Sequence, residues 1–227
     1  MLHTEAKLEA RIKELLKYRY RDKHRLGEFR AKEDHSGLVN PDMPVWEETD
    51  RTLKHKEQWS GRDRYLWLEK RLTLPAEWEK LSERAEPVGV FDFGLTGGGY
   101  NSGFEAMLYI DGKPYQAVDS NHQEVFFKKE HFGRELTLTF RLWSGLEGGG
   151  LPKEMVHRYR KAYLALLDTA ADDLYYLADT ALGAVRIFSE DRPERHDLLE
   201  ALDQAFLLID WTEPGSEEFY ETVKAAD

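Results

Sequence analysis

The chain has 227 residues, 41% hydrophobic and 12% aromatic, enough core-forming material for one large domain or two small ones and too much for a disordered chain. Charged residues reach 33% and the formal net charge is -11, which argues against a nucleic-acid partner, since binding phosphate needs clustered Lys and Arg. With no cysteine, disulfide frameworks and thiolate zinc sites are excluded. Residues Met1 to Lys7 carry charges where a signal peptide has an apolar run, and nowhere do about 18 apolar residues run together. The expectation is a cytoplasmic chain with no membrane partner.

From the N-terminus to about Lys32 the period is helical, with Leu8, Ile12, Leu15 and Arg19 making one thin apolar stripe. The basic cluster Arg19, Arg21, Lys23, His24 and Arg25 reads as a solvated helix end, where cations suit the macrodipole, rather than a nucleic-acid patch. From Ala31 to Lys56 the chain is polar and broken by Pro41 and Pro44, so an extended connector is expected.

Between Gln58 and Trp143 the period changes to two. Strands are predicted at 64–74, 87–94, 105–110, 113–118, 122–127 and 134–143, and Asp111-Gly112 fits a tight type I′ hairpin between the third and fourth. Leu136, Leu138, Phe140 and Leu142 alternate with polar neighbours, as in a half-buried strand. Short strands with turn signals every ~8 to 12 residues indicate an antiparallel sandwich. After Gly148-Gly149-Gly150 a helix is predicted from Pro152 on, with Val156, Tyr159, Tyr163, Leu167, Leu174 and Ala181 on one face. A second helix spans Pro193 to Ile209 with Asp191 as its cap, and Ser216 caps a third. The fold class expected is α+β, mainly β: a helix and connector over 1–57, a jelly-roll-like sandwich over 58–147, and a helical segment over 148–227.

Chemistry is sparse. None of the eight histidines pairs with another at a zinc-binding spacing, and there is no Gly-x-Ser-x-Gly elbow. Gly97-Gly98-Gly99 precedes a strand rather than a helix, so it reads as an inter-strand loop and not a phosphate cradle. Asn101, Glu105, Asp119, Ser120, Asn121 and His122 fall at strand ends near Tyr100, Tyr115 and Trp143. Amide, carboxylate and imidazole groups beside an aromatic ring suit a sugar, giving hydrogen bonds to hydroxyls and a flat face for the pyranose. The same residues also suit an Asx-turn, with His122 satisfying a local carbonyl. Candidate ligand-binding residues are Asn101, Glu105, Asp119, Asn121, His122 and Trp143; no catalytic or metal-ligating residue is assigned. Trp59 and Trp67 read as core or rim.

Several strings carry a resemblance. Residues 91–106, from Phe91-Asp92-Phe93-Gly94 through Gly97-Gly98-Gly99-Tyr100-Asn101 to Glu105-Ala106, lead into Leu108-Tyr109-Ile110-Asp111-Gly112 and Val118-Asp119-Ser120-Asn121-His122. Arg141-Leu142-Trp143-Ser144-Gly145-Leu146-Glu147 follows further on, and Asp172-Asp173-Leu174-Tyr175-Tyr176 adds to the likeness. Together they resemble the N-terminal β domain of glycoside hydrolase family 38 α-mannosidases of the bacterial and vacuolar type. The resemblance implies a sandwich of galactose-binding-domain shape and a retaining, zinc-dependent release of α-linked mannose by a catalytic domain beyond Asp227. The His-x-His-x-Asp zinc motif of that family does not occur in this sequence, so the expectation is an inactive fragment without a cofactor, zinc belonging to the catalytic domain. The implied partners are that domain, the α-mannoside substrate of the full-length enzyme and a second copy in a homo-oligomer. The segment would then shape the catalytic cleft as a scaffold, or act as an independent carbohydrate-binding module. A scaffold predicts an exposed apolar patch; a module predicts an open groove with an exposed ring.

Overall fold

The computed structural model describes residues 4–80, 85–94, 103–147 and 150–227. The fold class is α+β and mainly β, with antiparallel sheets and a few helices. The strands are β1 (Tyr20–Arg25), β2 (Phe29–Asp34), β3 (Arg51–Leu53), β4 (Gln58–Gly61), β5 (Tyr65–Thr73) and β6 (Ala85–Asp92). They continue as β7 (Glu105–Ile110), β8 (Lys113–Asp119), β9 (Glu124–Phe126), β10 (Glu135–Trp143), β11 (Met155–Arg158) and β12 (Lys161–Asp168). The helices are α1 (Thr4–Leu15), α2 (Thr169–Val185), α3 (Pro193–Leu208) and α4 (Glu217–Ala226). None of them is long and apolar enough to cross a membrane.

The chain divides into two compact units: a helical one of residues 1–22, 81–86 and 166–227, and a β unit of residues 23–80 and 87–165. In the helical unit, Ala171, Leu174, Ala178, Leu182 and Val185 recur every three or four residues along α2 and are buried with Leu8, Ile12 and Leu15 of α1 and Phe219 of α4. Asp168 caps α2 by accepting from the Ala171 N–H, and Ser216 caps α4 by accepting from the Phe219 N–H. On their outer faces α2 and α3 leave Leu177, Leu207 and Leu208 exposed.

The strands form a six-stranded sheet, β3–β2–β5–β10–β7–β8, a four-stranded sheet, β1–β12–β6–β9, and the pair β11–β4. In the β unit the inward residues of β5 (Leu66, Leu68) and β10 (Leu138, Phe140, Leu142) are fully or nearly fully buried. Phe140 lies 4.7 Å from Phe91 and 5.0 Å from Phe93, ring centre to ring centre, in an aromatic cluster that also takes in Phe29. The turn between β7 and β8 has φ of +51° at Asp111 and +76° at Gly112, the geometry that a two-residue hairpin demands.

Three sequence expectations are corrected. The N-terminal helix does not run on to Lys32: after a short 3-10 turn the chain is extended as β1 and β2. Gly27, at φ +68°, separates those two strands, and Phe29 and Ala31 then alternate inward against polar neighbours. Nor does a helix follow Gly150, since Met155–Arg158 and Lys161–Asp168 are strands. Met155 pairs with Gly61 and His157 with Trp59, and the run from Ala162 to Leu167 is buried nearly throughout. Finally, α3 is not capped by Asp191, which instead accepts from the Ser189 hydroxyl; Arg192 stands at the cap position.

Candidate functional site

Antiparallel pairing fixes which side chains share the outer face of the six-stranded sheet. Opposite the buried leucines, Asp34, Tyr65, Trp143, Glu105 and Asp119 stand in one cross-strand row. Lys32, Trp67, Arg141, Met107 and Ala117 form the row beside it. Such neighbours are separated only by the spacing of paired strands, about 5 Å. The outcome is an open hollow of about 590 Å³, floored by Met107 and Ala117, walled by Tyr65, Tyr109 and Trp143, and rimmed by Glu105, Asp119 and Arg141.

The chain between β2 and β3 overhangs it. Val39 and Asn40 reach the rim, and the Lys32 ammonium donates to the Val45 carbonyl at 2.7 Å while Arg30 donates to the Glu47 carbonyl at 2.9 Å. Beneath this strap the guanidinium of Arg141 lies 4.2 Å from the centre of the Tyr65 ring and donates through Nε to Asp34 at 2.9 Å. Burial works against ionisation of Asp34, but Ser36 and then Arg141 hold its carboxyl below the ordinary range. The ring of Tyr65 is thereby clamped from behind by a fixed cation.

The six expected ligand-binding residues fare differently. Glu105, Asp119 and Trp143 meet at the hollow. Trp143 is half-buried and its indole N–H donates to Asp63 at 2.8 Å, which fixes the ring plane. Asn121 and His122 belong to the turn after β8, where Asp119 Oδ1 accepts from both backbone N–H groups at 2.7 Å and the His122 imidazole lies 3.0 Å from Oδ2. Burial opposes ionisation of Asp119, while the His122 side chain and those two N–H groups bring its carboxyl below the usual value. This is the Asx-turn pattern, built on the same carboxylate that edges the hollow. Asn101, Tyr100 and the Gly97-Gly98-Gly99 loop lie outside the described residues. Tyr115 points elsewhere, donating to the Phe126 carbonyl at 2.6 Å. Trp59 and Trp67 are buried, and Trp59 stacks on His157 with ring centres 4.4 Å apart.

Sequence reasoning missed Tyr65, Tyr109 and Arg141. The signal was present: period two along β5 and β10 puts Tyr65 and Arg141 on the face opposite Leu66 and Leu142. Among the described residues no three His, Asp or Glu side chains are placed to hold a metal ion.

No protein-family model matches the chain, and no curated protein matches it. The solved structures similar to part of this chain include a β-glucuronidase from Ruminococcus gnavus in complex with D-glucaro-d-lactam, 14% identical with TM-score 0.39, covering 66% of this chain and 30% of that one. A β-glucuronidase of glycoside hydrolase family 2 is 15% identical with TM-score 0.40, covering 64% and 18%. That of Bacteroides uniformis is 14% identical with TM-score 0.40, again covering 64% and 18%. The chain therefore spans less than a third of the length of these enzymes. At this similarity they lend it neither an activity nor a substrate. They do correct the expected likeness to family 38 α-mannosidases: the structural neighbours are β-glucuronidases, and no family model supports the mannosidase reading.

Proposed function

We propose that the β unit is a carbohydrate-binding module that holds a neutral sugar residue in the hollow on the outer face of its six-stranded sheet. The observation that carries this reading is the cross-strand row Tyr65, Trp143, Glu105 and Asp119, which sets two rings and two carboxylates side by side on a rigid sheet. A pyranose has an apolar C–H face and a belt of hydroxyls, so it needs a flat ring and fixed hydrogen-bond acceptors together. Trp143, Tyr65 and Tyr109 supply the first and Glu105 and Asp119 the second; Arg141, committed to Asp34, positions Tyr65. The hollow is shallow and open, so it suits one or two sugar units of a longer chain. Leu177, Leu207 and Leu208 are exposed on the helical unit, and exposed apolar side chains suit a scaffold role, so the two roles are compatible in one chain.

Calorimetric titration of cellobiose, maltose, mannobiose and chitobiose into the 227-residue chain tests the proposal. Saturable binding of at least one disaccharide is expected, abolished by Trp143→Ala and weakened about tenfold by Glu105→Gln, the loss typical of one hydrogen bond to a charged group. No heat from any of the four, or binding indifferent to Trp143→Ala, overturns it.

A further inference from the structure

Two rings tie the pair β4–β11 to the rest of the β unit. The Trp59 indole N–H donates to the carbonyl of Phe93, just beyond β6, at 2.7 Å. His157 pairs with Trp59 across the two strands, stacks on it with ring centres 4.4 Å apart, and lies 2.7 Å from the carbonyl of Ser144, just beyond β10. That oxygen is an acceptor, so His157 Nε2 carries the proton and Nδ1 keeps a bare lone pair. His157 is 1% exposed, and its Nδ1 is buried without a hydrogen-bond partner. We infer that His157 is an acid-released clasp: a second proton on the ring drives it out to water and frees β4 and β11 from the strands around them. This inference does not depend on the sugar-binding reading of the outer sheet face.

The surroundings leave a charged ring nowhere to stay. A Cβ built on Gly94 would lie 2.6 Å from Nδ1, so not even a methyl group fits between them, and neither does a water. A new Nδ1–H would therefore be buried and unsatisfied on a ring that also carries a full charge. On the segments around the ring, the carboxylates among the described residues already have partners. Asp92 accepts from the Gly94 N–H and pairs with Arg160, Glu147 is held by Arg62, and Glu154 takes the Ser60 hydroxyl. Glu57 accepts from the Lys54 N–H and Asp63 from the Trp143 indole. Arg64, whose backbone N–H donates to Ser144 Oγ at 2.9 Å, and Arg158, next to His157 in β11, add positive charge instead. Burial keeps the imidazole below the ordinary histidine range, and the Ser144 carbonyl opposes that. Once released, the ring regains an ordinary affinity for protons, so the open form binds more protons than the closed one. Opening is thus favoured as pH falls below about 6.5, by up to about tenfold per unit, until the closed ring itself titrates.

The test is amide hydrogen exchange followed by NMR on the whole chain between about pH 7.5 and 5, with the intrinsic effect of pH on exchange divided out. Protection of the paired amides of β4 and β11 should fall by close to tenfold per unit below about pH 6.5. That exchange should ignore low urea, the mark of a local opening, whereas the amides of β5 and β10 should exchange through urea-sensitive global unfolding. His157→Gln keeps an N–H donor for the Ser144 carbonyl and cannot titrate, so it should abolish the pH slope at β4 and β11. Imidazole nitrogen shifts of the wild-type chain give a reading without any variant: the closed form should keep Nε2 protonated and Nδ1 bare. A His157 ring that gains its second proton while β4 and β11 stay protected overturns the inference. So does exchange of the pair only through global unfolding, or a slope that survives in His157→Gln.

Discussion

Arg141 packs on the Tyr65 ring at the outer sheet face, and its pair with Asp34 is deeply placed, the two side chains being 9% and 5% exposed. Removing one partner of a buried pair strands the other charge, a loss of about 3–5 kcal/mol, whereas replacing both is often close to neutral. Arg141→Met should therefore lower the free energy of urea unfolding by about that much. The double variant Arg141→Met/Asp34→Asn should recover most of the loss; a double variant as unstable as the single one would show that the charge pair is not the cause. At this scale the sequence was half legible. Glu105, Asp119 and Trp143 stood out because their residue types suit a sugar and they fall at strand ends. Arg141 and Tyr65 did not, because their value lies in a contact across two strands that only the register reveals.

Turn chemistry was the most legible feature of the elements. Asp111-Gly112 announces its hairpin, and the Asp111 carboxylate secures it by accepting from the Thr137 N–H at 2.9 Å and from Arg134 at 2.5 Å. A Cβ at Gly112, at φ +76°, would meet only the Met43 Cγ at 3.9 Å, an ordinary contact, so Gly112→Ala meets backbone strain and not a clash. The expected cost is about 1–2 kcal/mol in unfolding free energy, with saccharide binding unchanged. A neutral result would mean that the hairpin relaxes to another turn type. The strands β11 and β12 were illegible for a definite reason. Val156, Tyr159, Tyr163 and Leu167 mimic helical spacing; in β11 Met155 and His157 are buried while Val156 and Arg158 are exposed, an alternation too short to override that spacing, and β12 is buried throughout from Leu164 to Asp168. A strand covered on both faces loses its alternation, so periodicity cannot distinguish it from a buried helix. A different ambiguity ran the first helix through β1, whose charged, exposed or half-buried residues leave no apolar period to read.

The acidic whole shapes the stability of the molecule against pH. Asp34, Asp111 and Asp119 titrate below the ordinary carboxylate range, and the Arg62 fork, at 2.7 and 2.9 Å, pulls Glu147 down to about 2. Burial lowers His131 and His157 as well. In each case the unfolded chain binds more protons than the folded one, so stability rises with pH and is lost on acidification. The urea midpoint should begin to fall near pH ~6.5 as unfolded histidines gain protons, and fall more steeply from about pH 4.5 to 2 as the carboxylates do. A midpoint flat across that range would contradict these assignments. The central claim, that a sugar lies on the outer face of the six-stranded sheet, is met most directly by mapping amide and indole NMR shifts while a binding disaccharide is titrated. The account predicts saturable shifts confined to Tyr65, Glu105, Met107, Tyr109, Asp119 and the Trp143 indole. Shifts centred on any other surface, or none at these six residues, would contradict it.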